Sequence, residues 1–356
     1  MTGELLSGDI EEIVRRLGPA ADAFAGKHVL LTGGCGFLGR YFTAMFGALN
    51  NGRLSPPCRV TVLDNLISVP DAAGMPAGGD GIMYVRHDVI QPVDAAAIPG
   101  AVDYVIHAAG IASPYYYRKY PLETLEVATL GTKHMLRLAV EHRVKGFLYF
   151  SSSEIYGDPD PAHVPTPESY RGHVSCVGPR ACYDEAKRLG ETLCMIYHQQ
   201  EGVPTKTVRP FNVYGPGMSP RDYRVLPSFA SKIFAGQPVS VYSSGRQTRT
   251  FCYVVDALVG FTMALLEGVP GDVYNIGNPR PEISMLELVR EFEQVLARPV
   301  AYRNIDYPDS YPADEPQRRC PDITKASVHL GFHSEVLLGE GLSRFVRWAE
   351  RAYPRE

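Results

Sequence analysis

The sequence predicts an α/β fold: a doubly wound, mainly parallel sheet joined to a smaller C-terminal region. Three observations predict it. The apolar run His28–Thr32 meets a glycine-rich turn and then a helical stretch from Arg40 to about Leu49. Further apolar runs at Arg59–Asp64, Asp103–His107 and Phe147–Phe150 lie between turn residues, as buried parallel strands do. The last of these stops at Ser151, Ser152, Ser153 and Glu154. In an open α/β sheet, ligands bind just past the carboxyl ends of the strands.

Taken in order, Ile10, Ile13, Val14 and Leu17 fall at helical spacing, and Gly18-Pro19 interrupts them. They predict a short amphipathic helix packed on the domain or on a neighbouring subunit, within an N-terminal extension over 1–26. Gly34, Gly36 and Gly39 spell G-x-G-x-x-G between a strand and a helix, in the run Gly33-Gly-Cys-Gly-Phe37-Leu38-Gly39. Glycine permits the tight turn and lets backbone N–H groups approach a pyrophosphate at the helix N-terminus. Asp64 ends the second strand, where a carboxylate accepts hydrogen bonds from ribose hydroxyls and repels a 2′-phosphate, so NAD is favoured over NADP. This acid comes later than the usual interval of about 20 residues, and Asn50–Pro57 reads as a lengthened loop that accounts for the delay.

Pro70–Gly81 is a Gly/Pro/Ala loop, and Met83–Asp88 returns to the sheet with Asp88 as a candidate for the adenine amino group. Asn65 and Val89 join the cofactor set beside these acids, and the small residues Ala108, Ala109 and Gly110 leave room for a dinucleotide. His107 reads as a core histidine at a strand end rather than a base. Ser113–Tyr120, with Tyr115, Tyr116, Tyr117 and Tyr120, reads as a substrate-side lid, and Leu122–His142 as a long helix. Tyr183–Gln200 is helical, so Tyr183 and Lys187, four apart, share a face. Thr205–Arg209 is the next strand, broken by the run from Pro210 to Pro216. Beyond it, Val239–Tyr242, Phe251–Val254 and Val273–Ile276 read as strands, and Leu286–Leu296 and Leu342–Ala352 as helices.

Length and composition limit the function classes. At 356 residues the chain forms one large or two intimately joined domains. With 45% hydrophobic and 21% charged residues, a packed core is expected. A formal net charge of −4 argues against nucleic acid as a partner. No run approaches the roughly 18 apolar residues of a membrane span, and Met1–Ala25 lacks the order of a secretory signal. Seven scattered cysteines without a Cys-x-x-Cys pair fit reduced thiols in a cytoplasmic setting and no metal site.

Together, Thr32-Gly-Gly-Cys-Gly-Phe-Leu-Gly39, Asp64, His107-Ala-Ala-Gly110 and Tyr183/Lys187 resemble the extended short-chain dehydrogenase/reductase family that acts on nucleotide sugars. Within it, five segments are similar to UDP-glucuronate decarboxylases: Ser152-Ser-Glu-Ile-Tyr-Gly-Asp-Pro159, Gly178-Pro-Arg-Ala-Cys-Tyr-Asp-Glu-Ala-Lys187, Arg209-Pro-Phe-Asn212, Gln247-Thr-Arg249 and Arg319-Cys-Pro-Asp-Ile323. The similarity runs over most of the chain from Lys27 onward. Ser152 stands where that group commonly has Thr, Cys320 where Lys is common, and the loop Gly217–Arg224 is only loosely similar.

The resemblance implies a Rossmann-type domain over 27–210, to which later strands near 251–278 return, and a mainly nucleotide-sugar-binding domain over 211–356. It implies NAD as cofactor, a UDP-sugar as substrate and a homodimer. Tyr183 would be the base, supported by Lys187, both of them also in the cofactor-binding set, with Ser152 bonding the same sugar hydroxyl. Glu154 and Arg319 would lie near the sugar carboxylate and carbon 5, their roles unassigned, and a structural salt bridge between them is the alternative. Tyr117, Ser153, Asn212, Arg224, Tyr242 and Arg249 are the substrate candidates, the arginines suiting a diphosphate. Epimerisation, formation of a 4-keto pentose, ring contraction of the apiose-synthase kind, and dinucleotide sensing without catalysis are the rival readings.

Overall fold

The structure, a computed structural model, describes residues 5–69, 74–94, 97–306 and 316–353. Its centre is a parallel sheet of seven strands: β1 (His28–Thr32), β2 (Arg59–Asp64), β3 (Ile82–Arg86), β4 (Tyr104–His107), β5 (Gly146–Phe150), β6 (Thr205–Pro210) and, after four short strands, β11. Those four are β7 (Val213–Tyr214), β8 (Val239–Tyr242), β9 (Thr248–Arg249) and β10 (Cys252–Tyr253), and β11 spans Asp272–Ile276. The sheet order is β11-β6-β5-β4-β1-β2-β3. From β1 the chain winds outward through β2 and β3, then crosses back to β4 on the other side. The carboxyl ends of β1 and β4 therefore border a crevice at the point where the winding reverses. β1, β4 and β5 are buried along their whole length, which is why they read as continuous apolar runs rather than alternating ones.

The smaller lobe is made of β8 paired with β13 (Tyr302–Ile305), and of a three-stranded sheet, β12 (Ile283–Ser284), β9 and β14 (Arg318–Arg319). In that sheet β9 is central, and its register sets Arg249 beside Arg319, 70 positions later in the sequence. Of the two strands within 251–278, β11 enters the large sheet whereas β10 pairs with β7.

Several expected elements extend differently. The helix after the glycine turn runs over Phe37–Gly52, so the first three residues of the expected loop Asn50–Pro57 are helix. The Asn50 side chain explains this: its amide donates to the carbonyls of Cys58 and Asp80, tying the helix end to the next strand. The long helix expected over Leu122–His142 is present as Pro121–Glu126, a π-type turn at Val127–Gly131, and Thr132–His142. Part of the expected loop Pro70–Gly81 lies outside the described residues.

The N-terminal helix, Ser7–Leu17, continues as a 3₁₀ segment through Gly18–Phe24. It packs on the domain itself. Ile13, Ala21 and Phe24 are fully buried. The buried Asp9 accepts hydrogen bonds from Tyr253 (2.7 Å) and Arg344 (3.0 Å), while Arg16 pairs with buried Asp256 at 2.6 Å. Burying four charges is costly unless each is paired, and here each is.

Candidate active site

The crevice between β1 and β4 is lined by Gly33, Gly36, Phe37, Leu38, Gly39, Asp64, Asn65, Asp88, Val89, Ala108, Ala109 and Gly110, whereas Tyr183 and Lys187, also expected at the cofactor, are not among its lining residues. Two of the glycines serve different ends. A Cβ on Gly39 would lie 2.1 Å from the Gly33 carbonyl oxygen and 2.5 Å from Gly34 Cα, so the turn itself demands glycine there. A Cβ on Gly36 would meet only the Gly33 oxygen, at 3.3 Å, and would otherwise project into the crevice. Gly36 also caps the helix Phe37–Gly52, whose first N–H groups have no intrahelical acceptor. These features fit a dinucleotide pyrophosphate.

Asp64 stands in the wall of the same crevice. Its two oxygens accept from the N–H groups of Cys35 (2.9 Å) and Leu66 (2.8 Å), which fixes the carboxylate and leaves lone pairs for a ribose diol. Burial pushes its pKa up, and those two hydrogen bonds oppose the rise. Asn65 donates to Asp88 at 2.9 Å, joining the ends of the second and third strands. His107, below the crevice, is held by Thr32 (2.8 Å) and Thr132 (3.1 Å), and burial lowers its pKa to about 3. It is a neutral core histidine, as expected.

Past the end of β5 the chain turns at Ser152, whose hydroxyl accepts the Glu154 N–H at 3.2 Å and starts the 3₁₀ turn Ser153–Tyr156. Tyr183 and Lys187 project together from the helix Ala181–Glu201 toward this turn, and both are buried. Lys187 donates to the Phe150 carbonyl at 2.7 Å, with its ammonium 5.8 Å from the Tyr183 ring centre. Burial brings the Lys187 pKa down to about 8. Burial also raises the Tyr183 pKa, and a hydrogen bond with Ser152 opposes that rise. The protein's own groups thus leave Tyr183 a protonated phenol at neutral pH. Positive charge nearby favours the phenolate that acts as base, and Arg224 and Arg180 pull in that direction.

A second cleft adjoins the first and is walled by Glu154, Arg180, Asn212, Tyr242, Arg249 and Arg319, while Arg224 lines both clefts. Glu154 and Arg319 do form a salt bridge, Nη1 to Oε1 and Nη2 to Oε2, the latter at 2.8 Å. Arg249 donates to the Thr248 carbonyl at 2.8 Å. Asn212 donates to the Thr250 carbonyl at 2.8 Å, at a positive φ of 43°. Arg224 is clamped onto Asp222 by contacts of 2.5 to 3.0 Å. Two candidates sit elsewhere. Tyr117 is buried behind the site, its ring stacked on Tyr183 at 5.5 Å, and Ser153 is buried inside the 3₁₀ turn. Of the expected lid, Tyr115 stacks on Tyr223 of the loop Gly217–Arg224 at 5.2 Å.

Sequence reasoning missed the groups that hold this geometry. Arg180 pairs with Glu154 and donates to Asp184. Its signal was the Gly178-Pro-Arg180 run just before the tyrosine, which was read only as similarity. Arg209 grips Glu191 bidentately (2.9 and 2.6 Å) and donates to the Tyr156 hydroxyl at 2.7 Å, and Tyr156 in turn donates to Asn275 at 2.8 Å. One buried guanidinium thus ties the helix of Tyr183 and Lys187 to the turn that carries Glu154.

Residues 29–277 match the family described as NAD dependent epimerase/dehydratase. The chain is 38% identical to UDP-glucuronic acid decarboxylase 1 of Xenopus tropicalis, over 90% of this chain and 72% of that protein. It is 37% identical to UDP-glucuronic acid decarboxylase 5 of Arabidopsis thaliana, over 88% of this chain and 86% of that one. Among solved structures, UDP-glucose 4-epimerase of Thermotoga maritima with UDP-glucose superposes with a TM-score of 0.77 at 24% identity, covering 91% of this chain and 99% of that chain. A strand–glycine turn–helix crevice, an acid at the second strand end and a buried Tyr/Lys pair thus coincide with matches over most of the chain, and the protein belongs to the NAD dependent epimerase/dehydratase family, with UDP-glucuronic acid decarboxylases among its relatives.

Proposed function

We propose that this enzyme converts UDP-glucuronate to UDP-xylose and carbon dioxide, with no net use of NAD. The observation that carries the reading is the ion cluster of Glu154, Arg180 and Arg319 in the wall of the sugar cleft, next to the Ser152, Tyr183 and Lys187 set. A sugar carboxylate offers such a cluster a charged, bidentate partner, which a neutral hexose does not.

When bound, NAD accepts hydride from carbon 4 of the sugar and later returns it. Around Tyr183 the chain itself supplies the guanidiniums of Arg224 and Arg180, which oppose the rise that burial causes in its pKa. Tyr183 takes the 4-hydroxyl proton, with Ser152 holding the same oxygen in line. General base catalysis of this kind contributes roughly 10² to 10⁴ in rate. The resulting 4-ketone lies β to the carboxylate. The bond between carbons 5 and 6 breaks, and its electrons pass into the ketone as an enolate, whose oxygen Ser152 and protonated Tyr183 stabilise. Carbon 5 then takes up one proton that comes from solvent, the proton the overall reaction consumes, and Tyr183 gives its own proton back to the 4-oxygen as hydride returns. Of Glu154 and Arg319, one shapes the loss of the carboxylate and one assists protonation of carbon 5.

Arg249 and Arg224 suit the diphosphate, with Asn212 and Tyr242 along the same wall. Tyr117 supports the plane of Tyr183 by stacking, and Ser153 supports the turn. Epimerisation at carbon 4 is the second reading, favoured by the fact that Ser152, Tyr183 and Lys187 alone suffice for it. Mass spectrometry of the product formed from UDP-glucuronate tests the choice: loss of the carboxyl group supports decarboxylation, and retention of the substrate mass supports epimerisation.

Two further features belong to this reading. Leu122, Leu125, Leu189 and Met195 are exposed apolar residues on the helices Pro121–Glu126 and Ala181–Glu201, which suits pairing of two copies about a two-fold axis. The free thiols of the described cysteines suit a cytoplasmic location, and no helix among the described residues is long and apolar enough to cross a membrane.

A further inference from the structure

The Glu154 carboxylate lies between two guanidinium groups. Arg319 takes it from one side with both prongs, and Arg180 Nη2 pairs with Oε2 from the other. Arg180 is the residue that precedes the helix Ala181–Glu201, and its Nε donates to Asp184 Oδ2 at 3.2 Å, one turn into that helix. The four groups alternate in sign, Arg319, Glu154, Arg180, Asp184, and their charges sum to zero. Glu154, Arg180 and Arg319 face the sugar cleft, and Asp184 anchors Arg180 from behind.

One arginine neutralises one carboxylate. Bringing a second onto the same oxygen, partly out of water, sets two like charges near each other at a desolvation cost. When another carboxylate enters the cleft it can take one of the two guanidiniums that Glu154 shares, and the other still holds Glu154. We infer that Arg180 is a positioning residue that retains Glu154 while the substrate's carboxylate takes over the two prongs of Arg319. This rests on the uronate reading above. Arg319 suits the incoming group because a bidentate guanidinium fixes the plane of a carboxylate, and that plane governs how the bond to carbon 5 lines up with the ketone. Arg180 suits the holding role because Asp184 fixes it to the helix of Tyr183, so Glu154 stays in register with the base when Arg319 lets go. Without Arg180, Glu154 and the uronate would compete for one guanidinium and repel each other.

The test is a binding cycle on NAD-loaded protein carrying Tyr183→Phe, which blocks turnover. Calorimetry gives the affinities of UDP-glucuronate and of UDP-glucose, which differ only at carbon 6. The parent protein should prefer the uronate. Arg180→Gln should weaken UDP-glucuronate by about tenfold or more and leave UDP-glucose within about twofold, and Arg180→Lys should recover most of the loss. In a Glu154→Gln background, where nothing charged needs holding, Arg180→Gln should cost little further, a coupling that only a double-mutant cycle reveals. An equal loss in both backgrounds would mean that Arg180 binds the substrate directly and would overturn the inference. A matching loss for UDP-glucose would assign Arg180 to the fold alone and overturn it too. If the parent shows no preference for the uronate, the functional reading fails first and the inference falls with it.

Discussion

Gly36 and Gly39 stand three residues apart in one turn, and alanine should act on them in opposite ways. At Gly39 the new Cβ would overlap three backbone atoms, at 2.1, 2.5 and 2.8 Å, and none can rotate away. The cost should reach or exceed the upper end of the roughly 1–3 kcal/mol typical of overpacking. At Gly36 the backbone already has a φ of −73° and a ψ of 177°, which alanine adopts freely, and its Cβ meets one oxygen at 3.3 Å. The weaker helix cap and the smaller unfolded-state entropy then oppose each other, so stability should stay within about 1 kcal/mol of the parent. The effect at Gly36 should fall on the cofactor instead, because the Cβ stands where backbone must approach the pyrophosphate. If affinity drops about 100-fold, then NAD at 100 times the parent's dissociation constant stabilises the parent by about 2.7 kcal/mol and Gly36→Ala by only about 0.4 kcal/mol. Thermal unfolding with and without NAD reads both quantities. A Gly36→Ala protein that keeps the full NAD-dependent shift, or a Gly39→Ala protein as stable as the parent, would refute the reasoning.

Other perturbations separate the remaining parts of the account. Tyr183→Phe should abolish formation of reduced cofactor and of carbon dioxide together, since the carboxylate leaves only after carbon 4 is oxidised; rapid-mixing absorbance checks it. Asp64→Ala should narrow the preference for NAD over NADP, measured as the ratio of the two dissociation constants, because the carboxylate that repels a 2′-phosphate is gone. His107 resists protonation down to about 3 against an ordinary value of 6.5, so the unfolded chain binds a proton that the native one refuses. Stability is fully present above pH 6.5 and is lost as pH falls from there toward about 3, and in urea titrations His107→Gln should flatten that slope by up to one proton. Tyr156→Phe should cost about 1–3 kcal/mol in the same titration, because Arg209 and Asn275 each lose a buried partner.

What could be read from the chain was whatever local sequence decides. β1 and β5 were visible because strands buried on both faces have no polar positions to interrupt the run. The glycine turn was visible because the strand, the turn and the helix are contiguous. The helix Val254–Glu267 leaves no helical mark in the sequence because it is buried on nearly every side and so shows no 3.6-residue period. The cofactor residues lie at successive strand ends, so the sheet order gathers them once the strands are known. The sugar side is different. Arg249 meets Arg319 only through the pairing of two-residue strands, and Arg180 meets Glu154 only because the two packed segments happen to face one another. Likewise the clamp of Arg224 onto Asp222, two residues earlier, is a side-chain contact that residue spacing alone does not reveal. The stack of Tyr117 on Tyr183 leaves no mark on spacing either.

The central claim is that oxidation at carbon 4 serves to release the carboxylate. It is tested most directly by giving the NAD-loaded protein UDP-glucuronate labelled at the carboxyl carbon, while labelled carbon dioxide, nucleotide-sugar product and cofactor absorbance are followed together. The account predicts one labelled carbon dioxide for each UDP-pentose formed, with no accumulation of reduced cofactor at steady state. A product that retains the label, with the sugar merely inverted at carbon 4, would contradict it.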